Sequence, residues 1–247
     1  MRLRQAIVSG VIACGVILVV PGTAQAGLYH GIARWEGAYP NKGCKAYIMI
    51  KDATVADSSS KGWAAEEMWT STNDKHDTGT TWIESGYTKG WEEADGTYHT
   101  GRTFFWVNCI SPGYPDGYYE HYLPTITCAL NTWVWVKIMY DGGTTNTWGI
   151  YYDGTRWATA NHQPPNSESI SMGFETTSSQ TQFGTSKSPN KCTNMAFYRA
   201  SEDKWYSGLV QPGATTNHAI ADTDGGSSNA HATWNTKYTS IDNWIHH

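Results

Sequence analysis

The sequence predicts an all-β chain, folded as an antiparallel two-sheet β-sandwich that forms one domain after a signal peptide. Three observations lead there. Aromatic residues are abundant and charge is low, with 13 Trp, 15 Tyr and only 16% charged residues. Short runs of period-2 alternation recur between turn signals, and 25 glycines supply those turns. Runs with helical periodicity are scarce. Ala64–Thr70 (AAEEMWT) is the best helical candidate, and it is short.

The N-terminus has the three parts of a secretory signal. Arg2 and Arg4 give a positive start, Ala6–Val20 is apolar, and Ala24-Gln25-Ala26 is a small-x-small cleavage site after Pro21-Gly22. The apolar run of 15 residues is shorter than the roughly 20 that a membrane-spanning helix needs. Residues 1–26 are therefore expected to be removed, leaving a secreted, extracellular domain over 27–247 with no membrane span. Loss of Arg2 and Arg4 takes the formal charge from −5 to −7, and no basic block exists, so nucleic acid is excluded as a partner.

Cys14 leaves with the signal, and Cys44, Cys109, Cys128 and Cys192 remain. An even number in an oxidising compartment predicts two disulfides out of three possible pairings. Cys109–Cys128 would tie neighbouring strands, and Cys44–Cys192 follows by elimination. A zinc site is the alternative, but no CxxC or CxxH spacing is present.

The strands follow in order. Lys45–Lys51 (KAYIMIK) is the first clear one. Thr81–Lys89, Arg102–Cys109 and Tyr118–Leu123 come next, the last two separated by the turn-rich SPGYPDG. Thr132–Tyr140 (TWVWVKIMY) is the strongest, and Asp141-Gly142-Gly143 turns it into Thr147–Tyr152. Ser169–Glu175 and Asn194–Ala200 complete the set. Regular short strands joined by glycine turns suggest a sandwich of jelly-roll type. No linker divides the domain. Residues 210–247, rich in Gly, Ser, Thr, Asn and Ala, read as a poorly regular C-terminal region.

Charged residues inside otherwise apolar strands are the candidates for chemistry. Glu84 shares a strand face with Trp82 and Gly86, Glu175 ends Ile170–Glu175, and Glu120 lies in Tyr118–Tyr122. A Glu in an antiparallel strand ordinarily points to solvent. On an aromatic-lined face it would instead be desolvated, and two such carboxylates push their pKa values apart, giving an acid and a base.

Several segments resemble known ones. Trp82–Tyr87 (WIESGY) looks like the "I-E-x-G-W" segment of neprosin-type glutamic peptidases. Met172–Glu175 (MGFE) resembles their "W-G-G-E", and Thr181–Ser186 (TQFGTS) their "T-Q-M-G-S-G". Ala196–Arg199 (AFYR) is similar to the strand that follows. Tyr118–Pro124 (YYEHYLP) looks like the "W-Y-E-W-Y-P" of the fungal glutamic peptidases. The resemblance spans about residues 80–200, and the chain departs from it at Phe174 and Phe183. It implies a curved jelly-roll sandwich in which a pair of acidic or amide side chains activates water against a peptide bond. Carried over, Glu84 and Glu175 are the catalytic dyad of a hydrolase working at acidic pH. Gln182, Tyr119, Glu120 and Trp82 are candidates for binding substrate, Gln182 and Tyr119 by polarising the carbonyl or orienting the peptide.

A binding module is the competing expectation. Trp133–Ile138 and Trp148–Gly154 resemble the hairpin of concanavalin A-like lectin and glucanase sandwiches, in which exposed Trp and Tyr stack on sugar rings. The ligand is then a polysaccharide outside the cell, in place of a peptide. Core packing accounts for most of the tryptophans. No cofactor or metal is expected: the C-terminal histidines are scattered, and Glu92–Gly96 reads as a solvated acidic turn. Ser171 lacks a G-x-S-x-G elbow, which argues against a serine hydrolase.

Overall fold

The computed structural model describes residues 29–55, 61–71, 81–92, 96–110, 117–163, 166–177, 181–207, 219–224, 230–234 and 240–245. The expected signal peptide, the acidic turn at 93–95 and most of SPGYPDG lie outside them. The described residues form strands β1 (Tyr29–Asn41), β2 (Gly43–Met49), β3 (Ala53–Thr54), β4 (Trp63–Ser71), β5 (Trp82–Glu92) and β6 (Thr97–Cys109). Then come β7 (Tyr118–Leu123), β8 (Trp133–Gly142), β9 (Thr147–Tyr152), β10 (Thr155–Ala160), β11 (Ser167–Thr176) and β12 (Gln182–Phe183). The last are β13 (Asn190–Arg199), β14 (Lys204–Ser207), β15 (Ala219–Asp224), β16 (Ala230–Trp234) and β17 (Ser240–Ile245).

All pairings are antiparallel, and they make two sheets. One has the order β15-β1-β11-β4-β5-β6-β7. The other runs β10-β9-β8-β2-β13-β17-β12-β3, with β14 beside β13 and β16 beside β17. This is the expected two-sheet sandwich. Period-2 alternation divides each strand between two faces. In β4, Ala64, Glu66, Met68 and Thr70 face the second sheet; in β8, Val134, Val136 and Ile138 face the first. With Ile48, Phe104, Met172, Phe174, Phe183 and Phe197 they form the inter-sheet core. Polar pins cross it. The Tyr152 hydroxyl donates to Phe105 O (2.6 Å) and accepts from Ser85 (2.7 Å), joining β9 to β5 and β6. The Tyr87 hydroxyl accepts from the Lys51 amide (2.8 Å) and donates to Met49 O (3.2 Å).

The eight strands read from the sequence all form, and three expectations are corrected. Ala64–Thr70 is not a helix but the middle of β4. Its helix formers are overruled because β4 lies between β11 and β5, and Ala64 to Ser71 are all buried. In the C-terminal region the described residues are strands: β15 extends the first sheet beside β1, and β17 inserts between β13 and β12. The Cys44–Cys192 and Cys109–Cys128 disulfides are not formed. Cys44 stands opposite Phe197 and Cys192 opposite Ile48 in the β2–β13 ladder. Four rungs separate them, about 13 Å at ~3.3 Å per residue, beyond the ~7 Å a disulfide spans. Cys109 lies on the outer face of the first sheet, whereas Cys128 packs against the core on the other side. Burial pushes the Cys109 and Cys128 thiols up to about 12.

Glu66 is the one acidic residue of β4 that faces the inter-sheet core. Its carboxyl accepts from the Asn243 amide (3.2 Å) and the Cys192 thiol (3.1 Å), linking β4 to β17 and β13. Burial pushes its pKa up to about 8. The folded chain therefore binds this proton more tightly than the unfolded chain does. The associated stability is fully present below about pH 4.5 and is lost as pH rises through about 8. Denaturant titrations at pH 5 and pH 8.5 are expected to show a loss on the order of 4 kcal/mol from this group. Glu66→Gln, which keeps the acceptor oxygen, should remove that part of the pH dependence.

Candidate active site

The odd-numbered residues of β4 point away from the second sheet, and this outer face collects acidic groups. Glu67 is its centre. In the ladders, Glu67 stands directly opposite Gly86 of β5 on one side and Gly173 of β11 on the other. Two residues along β5 from Gly86 is Glu84, opposite Trp69. Two residues along β11 from Gly173 is Glu175, opposite Ala65. Glu84 and Glu175 are thus the two diagonal neighbours of Glu67 on one face, each with its Cα about 7–8 Å from that of Glu67, within reach of long side chains. The row opposite Glu84 continues through Val107 of β6 to Glu120 of β7.

The glycines make this possible. A Cβ at Gly86 would stand 2.2 Å from the Glu66 carbonyl oxygen and 2.6 Å from the Glu67 Cα. A Cβ at Gly173 would stand 2.3 Å from the Gly31 carbonyl oxygen. Both positions lack a side chain because the neighbouring backbone occupies that space, and so both rungs beside Glu67 stay clear.

Around the carboxylates the face is apolar. Ile32, Ala65, Trp69, Trp82, Phe105, Val107 and Cys109 form a buried cluster of their own, flanked by Trp63, Tyr118 and Tyr122. Glu84 and Glu175 are each 7% exposed, and Glu67 2%. The Trp82 indole N–H donates to the Glu84 carboxylate. Trp82 is held in turn by the buried Gln163 amide, which donates to Trp82 O (3.1 Å) and Cys109 O (2.8 Å) at one rung of the β5–β6 ladder. Burial first, and then the charges of Glu84 and Glu175, hold the Glu67 carboxyl well above the usual carboxylate range. It is a neutral acid between two other carboxyl groups. Burial, Glu84 and Glu120 likewise raise the Tyr118 phenol. His30 of β1 stands directly opposite Glu175 and is buried.

Of the residues singled out in the sequence, Glu84, Glu175, Trp82 and Glu120 share this face. Tyr119 alternates to the other side of β7 and is 49% exposed. Gln182 lies in β12, in the second sheet, and is exposed. Neither belongs to the acidic face. Glu67 and His30 complete it and escaped the sequence reading. The signal for Glu67 was nonetheless present in Glu84-Ser85-Gly86 and Gly173-Phe174-Glu175. Each places a glycine two residues from a glutamate, and the two glycines flank one position.

No family model matches the chain, and no curated protein matches it. Solved structures do. Scytalido-glutamic peptidase with a transition state analog inhibitor aligns at a TM-score of 0.53 and 12% identity, covering 89% of this chain and 98% of that one. Scytalido-glutamic peptidase with a peptide-based transition state analog aligns at 0.50 and 11%, covering 90% and 98%. The fold is that of the glutamic peptidases. The glutamic-peptidase fold accounts for nearly the whole length of those chains, and β1, β15 and β17, unexpected from the sequence, belong to the same two sheets as the rest.

Gly86→Ala should destabilise the protein by about 3 kcal/mol in urea unfolding, because the added methyl must push β5 from β4. A change below about 0.5 kcal/mol would mean that the rung beside Glu67 is not closely packed.

Proposed function

We propose that this protein is an exported hydrolase of peptide bonds in which Glu84 and Glu175 activate water. The observation that carries the reading is the placement of these two glutamates on one buried face, as the diagonal neighbours of a third carboxyl group, in a glutamic-peptidase fold. Like charges in an apolar setting cannot all ionise together, and burial and these neighbours hold the Glu67 carboxyl well above the usual carboxylate range. With Glu67 neutral and a flanking glutamate, Glu84 or Glu175, charged, the charged one takes a proton from water as it adds to the scissile carbonyl carbon. Glu67 donates to the carbonyl oxygen, and a proton then passes to the departing amine. Such a pair works at acidic pH. Trp82 and Tyr118, whose rings lie 6.1 Å apart beside Glu84, border the substrate. Export is supported by the charge and hydropathy pattern of residues 1–26.

Hydrolysis of an unfolded protein substrate between pH 2 and pH 7 tests this. Activity should peak on the acidic side. Glu84→Gln and Glu175→Gln should each reduce kcat by about 10²-fold or more, with folding intact by circular dichroism. Glu67→Gln, which mimics the protonated acid, should retain measurable turnover. Full activity in Glu175→Gln would sink the dyad.

A further inference from the structure

The opposite outer side of the sandwich has a different chemistry. On β2 and β8 the inward set is Cys44, Ala46, Ile48, Val134, Val136 and Ile138, all in the core. The outward set would be polar on an ordinary wet sheet. Here it is ringed. Trp135 stands directly opposite Tyr47, and Trp133 lies two residues along the same strand. Lys137 is next, between Lys45 of β2 and Tyr151 of β9. Trp205 of β14 closes the far end. Trp133 is 40% exposed and Tyr47 38%, values that leave ring faces open to solvent. From the Trp133 row to the Gly43 row beside Trp205 is six rungs, about 20 Å at ~3.3 Å per residue.

The lysines decide what such a surface holds. The Lys137 ammonium sits 3.8 Å from the Tyr151 ring centroid and 5.4 Å from that of Trp135. The Lys45 ammonium sits 4.1 Å from the Trp205 ring. These cations are in the middle of the ring surface, laid flat against it. The core of a protein–protein interface is depleted in lysine, since burial there would strip its water. Of the carboxylates on this side, Asp141 is paired with Arg156 (2.9 Å), and Asp153 accepts the Trp135 amide (2.9 Å). Among the described residues neither Lys45 nor Lys137 has a carboxylate within ion-pair distance. A long flat track of rings, with two cations at ring level, complements a chain of sugar rings that carries carboxylates and keeps most of its hydration.

We propose that the outer face of the ten-stranded sheet binds an acidic polysaccharide strand, with Trp133, Trp135 and Tyr47 stacking on sugar rings and Lys45 and Lys137 meeting their carboxylates. The site lies across the sandwich from Glu84 and Glu175 and is independent of any proteolysis there. The chain's formal charge of −5 opposes general adsorption to a polyanion, so binding reports this local site.

Calorimetric titration of the full protein with polygalacturonate, and with the same polymer fully methyl-esterified, tests the proposal. Binding to the acid form is expected at low salt, weakening as salt rises, and at least tenfold weaker for the ester. Trp133→Ala and Lys137→Gln should each lose at least tenfold, while Trp133→Ala leaves hydrolysis of an unfolded protein unchanged. No binding of the acid form overturns the proposal. So does equal binding of the ester, full affinity in Trp133→Ala, or a dimer in sedimentation velocity that Trp133→Ala dissolves.

Discussion

The register of β4 between β5 and β11 is the constraint on which the remaining structure depends. Its rungs put Gly173, Glu67 and Gly86 in one row and place Glu175 and Glu84 on the two diagonals. Because side chains alternate strictly, a slip of one residue on either side would send every group to the opposite face. Glu67 would then enter the inter-sheet core, and Met68 would face outward among Trp69's former neighbours. The register is enforced by packing on both sides of the sheet at once. Met68 and Ala64 fit the core between the sheets, while Trp69 and Ala65 belong to the separate outer cluster. This strand carries two consecutive glutamates.

Those two glutamates show how one strand creates two acidic environments. Glu66 is neutralised by burial, and its Oε1 accepts from neutral donors, Asn243 and Cys192, on strands of the other sheet, while its Oε2 is buried without a partner among the described residues. Its role is to join the C-terminal strand β17 to the centre of the first sheet. Glu67, one residue on, has other carboxyls as its neighbours, and their charges add to the effect of burial. An isolated buried acid is a structural hydrogen-bonding group. A buried acid among carboxyls shares protons with them, and that is the property acid–base chemistry uses. Burial raises both groups alike, so the distinction rests on the neighbours.

Much of this was legible in the sequence. Strands with strong alternation, such as Thr132–Tyr140, declared themselves, and so did Glu84 and Glu175, which interrupt apolar runs. What was hidden has specific causes. AAEEMWT is made of helix formers, and only its place between two other strands makes it extended, so Glu67 was not visible as a strand residue. β1 contains Gly31, where an added Cβ would stand 2.5 Å from the Phe174 ring, so a glycine that reads as a turn is there for close packing. β15 and β16 each carry a single large apolar residue, Ile220 and Trp234, and β15 to β17 owe their extension to the ladders they join. The cysteines misled for a different reason. Their number suggested bridges, but number carries no register, and in the folded chain Cys44, Cys109 and Cys192 are small buried apolar groups and Cys128 is half-buried, each with its thiol proton held by desolvation.

The two outer faces follow from one rule with opposite results. A sandwich draws its core from the inward half of each strand, which leaves the outward half to be chosen for other chemistry. On the first sheet that half is acidic and heavily lined by Trp, Phe and Val, and the Glu67 carboxyl at its centre is desolvated, which favours its neutral form. On the second it is aromatic and basic, and burial against the rings lowers the proton affinity of Lys45 and Lys137. Desolvation opposes charge on both faces, but its consequence differs. A carboxyl that resists ionisation is a proton donor and, beside an ionised neighbour, half of an acid–base pair. A lysine set on a ring remains a cation at neutral pH, only less hydrated, and therefore readier to exchange water for an anion. The first face gathers carboxyls in an apolar setting; the second sets cations against rings.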